Sequence, residues 1–536
     1  MKAFAELLDR LVLTPSRNGK LRLLVDYVRA TPDPDRGYAI AAITRDLDIP
    51  SVKPAMIRGL VEERVDPILF GYSYDFVGDM AETISLIWPP QTKDEQPLHL
   101  GLAEIVETLQ AASRSEGPKL VEAWLDQLDE QGRYALIKLI TGGLRIGVSS
   151  RLIKQALADF GAKDVNEIEE LWHGLEVPYL DLFAWLEGKA EKPESAAASP
   201  FRPAMLATPT DADELIKYDP ADYAAEWKWD GIRVQVTCER GVARIYSRTG
   251  DDISQSFPDL LGAMDFEASL DGELLVGHPT DGGIKVGTFG DLQQRLNRKT
   301  VSAKKQAQFP VFVRAYDLLH DGDTDLRPKT FKERRARLGN LVRKLDPERF
   351  DLSPLVNFND WDEIAKLRNA PPDPIIEGLM LKRWDSVYVP GRPKGPWFKW
   401  KRDPFLVDAV LMYAQRGHGK RSSFYSDFTF GVWTGPNDDL QIVPVGKAYF
   451  GFTDEELKQL DKYVRDNTIE RFGPVRSVRA EPDHGLVLEI ALEGLNRSTR
   501  HKSGIAMRFP RISRLRWDKP ARDADRLESL EAMLAD

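Results

Sequence analysis

Cysteine is nearly absent: the 536 residues contain one, Cys238. An intrachain disulfide is therefore excluded, and so is a cysteine-built zinc site. Its surroundings, VQVTCERGVARIYS, read as strand, so Cys238 is expected to be a passive packing residue. Long apolar runs are also missing, so no segment reads as a membrane span. The first residues, MKAFAELLDRLVL, carry acids inside their apolar stretch and lack a small-residue cleavage site. They read as an amphipathic helix and not as a signal peptide, and a cytoplasmic location is the expectation. There is no internal repeat. Positive charge is in deficit overall, with 74 Lys and Arg against 84 Asp and Glu, a net charge of −10. Read globally this disfavours a nucleic-acid partner, but binding follows the local field. From Arg497 to Lys519 there are eight basic residues and one acid, Asp518, whereas the end of the chain, DADRLESLEAMLAD, is acidic.

What is present is a soluble-protein composition, 42% hydrophobic and 29% charged with 12 Trp, at a length that suggests about three domains. Residues 1–187 read as helical: LLDRLVL, KLRLLVDYVRA and RLIKQALADF place apolar residues three and four apart, and breaks fall at ATPDPDRG and IWPPQTKDEQP. Residues 188–200, GKAEKPESAAASP, have the composition of a linker. From 201 to 401 the pattern turns to short β-rich segments (IRVQVTCE, ARIYS, SLDGELLV, PVFVRAYDLL) interrupted by one helical insert, FKERRARLGNLVRKL. From 402 to 536 strands resume (VDAVLMYA, FTFGVWT, LQIVPVGKAYF, GLVLEIAL) with one helix, DEELKQLDKYVRD, a set that suits a small barrel of the OB type.

The chemistry begins at Glu226-Trp-Lys228-Trp-Asp230-Gly231-Ile-Arg233. A lysine with its ordinary pKa of about 10.4 is a poor nucleophile, and burial or nearby cations would free its lone pair. A strand lysine paired with Asp230 is an equally good reading of this segment alone. Gly231 permits close backbone approach, and Arg233 offers a fork of donors to a ribose or phosphate. Ser247-Arg248-Thr249-Gly250 is a polar turn. Leu270-Asp271-Gly272-Glu273 sets a carboxylate pair about a glycine, either for a ribose or metal or as an ordinary turn before a strand. Tyr316, in Ala315-Tyr316-Asp317-Leu318, offers an aromatic face to a purine or simply packs in the core. Glu377-Gly378-Leu-Met-Leu-Lys382 puts an acid and a base on one strand. In Trp397-Phe398-Lys399-Trp400-Lys401 the strand period points both lysines to one face, where a phosphate would separate them.

These six segments, in this order, resemble the nucleotidyltransferase motifs of ATP-dependent DNA ligases, shared with mRNA capping enzymes and RNA ligases. A seventh, Arg508-Phe-Pro-Arg511-Ile-Ser-Arg514-Leu-Arg516-Trp-Asp518-Lys519, resembles the C-terminal ligase motif. TPSRNGKLRLLVDYV and GGLRIGVSSRLIKQAL resemble the ligase DNA-binding domain. The resemblance covers nearly the whole chain and is strongest to bacterial three-domain ligases of DNA repair. It implies a multidomain α+β protein: an all-helical DNA-binding domain (1–187), a nucleotidyltransferase adenylation domain of ATP-grasp-like mixed α/β type (201–401) and a C-terminal OB-fold β-barrel (402–536).

By the same resemblance Lys228 carries AMP and Glu226 reads the adenine amine. Arg233, Arg248 and Glu273 contact ribose and phosphate, and Tyr316 stacks on adenine where the family usually has Phe. Lys399 and Lys401 hold the α-phosphate, with Arg392 as a further phosphate contact. Glu273 and Glu377 serve a divalent metal, Mg2+ or alternatively Mn2+. Arg508, Arg514 and Lys519 fall in the motif that orients pyrophosphate. Arg17, Lys20, Arg145, Lys420 and Arg421 are the expected DNA contacts. The implied substrates are ATP and nicked double-stranded DNA. The expected state is a monomer off the membrane, acting at the nucleoid beside a repair nuclease or helicase, with a hinge near Lys401–Pro404. Binding directed at phosphates should weaken steeply with salt. Capping enzymes and RNA ligases do not account for the long helical region or for the RFPR…DK ending. NAD-dependent ligases carry a four-cysteine zinc module that one cysteine cannot build. A non-catalytic duplex-binding protein would not need Lys228, Glu273, Glu377, Lys399 and Lys401 together.

Overall fold

The computed structural model describes residues 1–89, 100–194, 197–280, 283–296, 298, 300–416, 425–498 and 501–534. The chain divides into two compact units, Met1–Val148 with Asp403–Asp536, and Ser149–Arg402.

Among the described residues, regular structure from Lys2 to Leu186 is helical. Side-chain caps open several of these helices: Ser16 accepts from Gly19 N–H, Asp79 from Ala81 and Glu82, and Ser149 from Leu152. The helix Arg17–Ala30 buries Lys20, Leu23, Leu24, Tyr27 and Val28, a stripe at the three-and-four spacing of one helical face.

Ser149–Arg402 holds two sheets. The first runs β1 (Thr208–Pro209), β12 (Trp397–Lys401), β11 (Ile376–Arg383), β2 (Tyr223–Trp229), β10 (Leu355–Val356). The second runs β4 (Val242–Ser247), β3 (Ile232–Glu239), β5 (Ala268–Thr280), β7 (Val311–Asp321), β8 (Thr324–Asp325), with β6 (Gly283–Val286) on β5 and β9 (Phe350–Leu352) on β7. In each sheet, alternation sends apolar residues one way and polar residues the other. Tyr223, Ala225, Leu379, Leu381, Phe398 and Trp400 form the core behind the first sheet. Val234, Val236, Cys238, Leu270 and Leu274 belong to the core behind the second. Leu270–Glu273 lies inside the long strand β5, so it is not the turn that a glycine between two acids suggests. Gly272 is there for proximity: a Cβ would sit 2.4 Å from Val313 Cγ1. The helix Phe331–Val342 is found where expected, whereas the helix Trp361–Asn369 was not foreseen from sequence.

Asp403–Asp536 is β-rich. A seven-stranded sheet runs β15 (Gln441–Ala448), β14 (Tyr425–Thr434), β13 (Phe405–Arg416), β17 (Val475–Val478), β16 (Thr468–Phe472), with β18 (Val487–Leu492) joining β13 to β19 (Arg511–Arg516). The helix Asp454–Asp466 follows β15, opened by a Thr453–Glu456 capping box. This is the strand-and-helix set expected of the region.

Candidate active site

Strand β11 lies between β2 and β12, and its register assembles the site. Gly378 is opposite both Lys228 and Lys401, and Met380 is opposite both Glu226 and Lys399. Directly opposed residues share a face, so Glu226, Lys228, Lys399 and Lys401 all stand on the side away from the apolar core. Gly378 makes the close packing possible. Its φ is +145°, and a Cβ there would lie 2.3 Å from the Trp400 carbonyl oxygen. Gly231 serves the same end at the neighbouring turn, where a Cβ would meet the Leu274 carbonyl oxygen at 2.5 Å.

Lys228 Nζ is paired with Glu377, not with Asp230. Lys401 Nζ lies 3.7 Å from the same carboxylate oxygen. Glu377 thus stands between the two ammonium groups. Lys399 has its pKa held below the ordinary lysine value, first by burial, then by Arg392, Lys401, Lys228 and Arg248. Five cations therefore converge from four places in the chain, including the two exposed arginines Arg248 and Arg392. Glu377 offsets part of the repulsion within this cluster, and a further anion would offset more.

The polar face of the second sheet contributes Arg233, Asp271 and Glu273. Arg233 Nη2 donates to Asp271 Oδ2 at 2.6 Å, Nη1 donates to the Met205 carbonyl at 2.6 Å, and Tyr388 Oη donates to the same Asp271 oxygen at 2.6 Å. Arg233 is thus fixed rigidly, and its guanidinium carbon lies 5.8 Å from the Tyr316 ring centroid. Burial pushes the Glu273 carboxyl up to about 7; Lys228 and Arg233 oppose that rise and Glu377 adds to it. Two carboxylates whose charges act on each other beside a lysine could contribute to holding a small divalent cation. No preformed cluster of three metal-ligating side chains occurs among the described residues.

The raised Glu273 value has a measurable consequence. Unfolded, this carboxyl ionises near 4.3. Folded, it stays protonated to about 7, so its charge costs stability increasingly as pH rises between those values. Glu273→Gln should therefore melt above the wild-type protein at pH 8 without ATP, by about 2–4 °C per kcal/mol of that cost. The gap should close toward pH 5; a gap independent of pH would assign the effect to packing.

The surroundings of Glu226 were only partly foreseen. Glu226 is held by Arg335, from the helix Phe331–Val342, and by Lys382 of β11. Asp317 is clasped by Arg334 at 2.7 and 2.9 Å, fully buried. The overlooked signal lay in FKERRARLGNLV: Phe331, Arg334, Arg335, Leu338 and Val342 are the buried residues of that helix. Two arginines on an apolar stripe mark buried charge with partners elsewhere.

Among the expected DNA contacts, Arg17 and Arg145 are exposed. Lys20 is a correction. It is buried, and its Nζ donates to the carbonyls of Ile146 at 2.6 Å and Gly147 at 3.1 Å. Its place on the 20/23/24/27/28 stripe dictates this: it ties two segments together and is not presented to a duplex. Lys420 and Arg421 lie outside the described residues. In the C-terminal motif, Lys519 pairs with Asp408 at 2.7 Å, Arg514 with Glu489 at 3.1 Å, and Arg516 with Asp408 at 3.1 Å. Arg508 is half-buried, and burial lowers its pKa. Among the described residues no helix is long and apolar enough to cross a membrane.

Comparison with known proteins covers the same ground. Residues 1–158 match the DNA ligase N terminus, 204–401 the ATP dependent DNA ligase domain and 421–519 the ATP dependent DNA ligase C terminal region. A probable DNA ligase of Koribacter versatilis is 30% identical over 99% of this chain and 96% of its own length. DNA ligase 1 of Korarchaeum cryptofilum is 29% identical over 98% of this chain and 97% of its own. A solved structure titled Pmar-Lig_PreS3 shares the fold, with a TM-score of 0.57 and 16% identity over 96% of this chain and 99% of that one.

Proposed function

The chain belongs to the ATP-dependent DNA ligase family, and from that premise we propose that Lys228 takes AMP from ATP and that the protein seals nicks in duplex DNA. The observation that carries this reading is the convergence of Lys228, Lys401, Arg248 and Arg392 on Lys399, with Lys228 and Lys401 on the Glu377 carboxylate and Glu273 near Lys228. Joining a 3′-hydroxyl to a 5′-phosphate requires activating the phosphate, since a phosphate monoester has no good leaving group. Three transfers do so. Lys228 Nζ attacks the α-phosphorus and pyrophosphate leaves. The DNA 5′-phosphate then takes AMP from the lysine. The 3′-hydroxyl attacks that phosphorus and AMP leaves. Each step needs in-line placement and neutralised oxygen charge, which the cation cluster supplies.

Glu273 and Glu377 would hold magnesium, which when bound neutralises phosphate oxygens and aligns the triphosphate. Tyr316 is assigned to the adenine face and Glu226 to its edge, with Arg233 and Glu273 at the ribose. Arg514 and Lys519 are assigned to pyrophosphate, leaving their carboxylate partners for it. Residues 1–187 and 402–536 are assigned to duplex contacts, with Arg17 and Arg145 on phosphates. The protein is read as a monomer in DNA repair, as the three-domain bacterial type implies.

Incubation with ATP, GTP or NAD, one at a time with magnesium, followed by intact mass, tests the reading: ATP alone should add one nucleotide. Nicked duplex DNA should be joined and single-stranded RNA should not. Lys519→Ala should slow adduct formation at least tenfold while sealing pre-adenylated nicks at near wild-type rate. Equal losses in both assays would remove Lys519 from the pyrophosphate role.

A further inference from the structure

We propose that Arg335 determines nucleobase specificity by orienting the Glu226 carboxylate toward the 6-amino group of the purine. This rests on the reading of Glu226 as the residue at the adenine edge.

Glu226 is 2% exposed, yet it needs its charge to accept well from an exocyclic amine. A carboxylate buried this deeply must be paired, and two cations pair with it. Arg335 Nη1 donates to Glu226 Oε1 at 2.5 Å, and Lys382 Nζ lies 2.6 Å from Oε2. Their roles differ. Arg335 is fixed at its other prong, where Nη2 donates to the Ser353 carbonyl, so its planar fork sets the direction of Oε1. Oε2 accepts no hydrogen bond of good geometry although it is buried. Lys382 lies among Glu226, Tyr316 and Trp397, with its Nζ 4.2 Å from the Tyr316 ring centroid and 4.7 Å from that of Trp397. The carboxylate and the ring assigned to the base are thus both within reach of one ammonium group. Glu226 also shares the face of β2 that carries Lys228 two residues on, which is the side on which the nucleotide must lie.

An acceptor oxygen locked here suits a 6-amino purine and repels the carbonyl oxygen of a 6-oxo purine. A site built to hydrogen-bond an N–H rejects analogues that lack it, because the buried acceptor is left unpaired. Without Arg335, the carboxylate is free to turn both oxygens to Lys382, and the reading oxygen is lost.

The test compares ATP with purine riboside triphosphate, which has hydrogen in place of the amine, as donors for adduct formation by the full chain. Wild-type protein should prefer ATP in kcat/KM by on the order of 10- to 100-fold, the worth of one hydrogen bond to a charged group. Arg335→Met should lower ATP to the level of the analogue, mainly through KM, and leave the analogue nearly unchanged. Loss of general structure would lower both alike. Arg335→Lys should recover part of the preference, and it carries the test if Arg335→Met does not accumulate folded protein. An undiminished ATP preference in either folded variant overturns the role of Arg335. Absence of any preference in the wild-type protein overturns instead the assignment of Glu226.

Discussion

Lys228→Ala will give no protein–AMP adduct when incubated with ATP and magnesium, while its melting temperature stays close to that of the wild-type protein. The proposed chemistry uses the Lys228 amine within the cation cluster, and removing it removes the bond to be formed. The fold has little at stake there. The side chains of the Lys228–Glu377 pair are 23% and 16% exposed, Lys401 remains beside the Glu377 carboxylate, and the apolar residues that set the register of β2 are untouched. Lys228→Arg keeps the charge and should fail equally, because a guanidinium that stays protonated cannot attack phosphorus. Intact mass and a gel with α-labelled ATP read the adduct directly. A normal adduct in Lys228→Ala would place the nucleophile on another residue.

Lys399→Ala should slow adduct formation by roughly 10²–10³-fold, the usual cost of removing one group aimed at developing oxygen charge. Its effect on stability should run the other way. Lys399 is half-buried among Arg392, Lys401, Lys228 and Arg248, and no acid is among the main influences on it. Deleting it relieves repulsion, so without ATP the variant should melt at or above the wild-type temperature. Single-turnover adduct formation and melting curves, measured on the same preparation, separate the two effects. Parallel loss of rate and stability would make Lys399 a structural residue and leave the α-phosphate without its assigned partner.

The sequence made much of this visible, and the physics explains where it did not. Strand and helix types follow from local periodicity, and the capped helix Asp454–Asp466 coincides with DEELKQLDKYVRD. The even spacing of Lys399 and Lys401 was enough to place them on one face. Pairing across distance was not legible. That Lys228 chooses Glu377 over the adjacent Asp230 depends on β11 lying between β2 and β12, and no local pattern encodes that order. The burial of Lys20 and Arg335 was missed for a different reason: both sit on apolar stripes whose spacing was readable, but Lys20 was read as a DNA contact by resemblance and Arg335 was given no role. Burial with a carbonyl or carboxylate partner is the alternative that such a stripe announces.

The division of each sheet into a greasy back and a charged front means that the chain can lose its chemistry without losing its shape. Substitutions among the front-facing lysines and carboxylates leave the packed layer behind them intact. A survey scoring variants by yield or abundance would pass most of them as healthy.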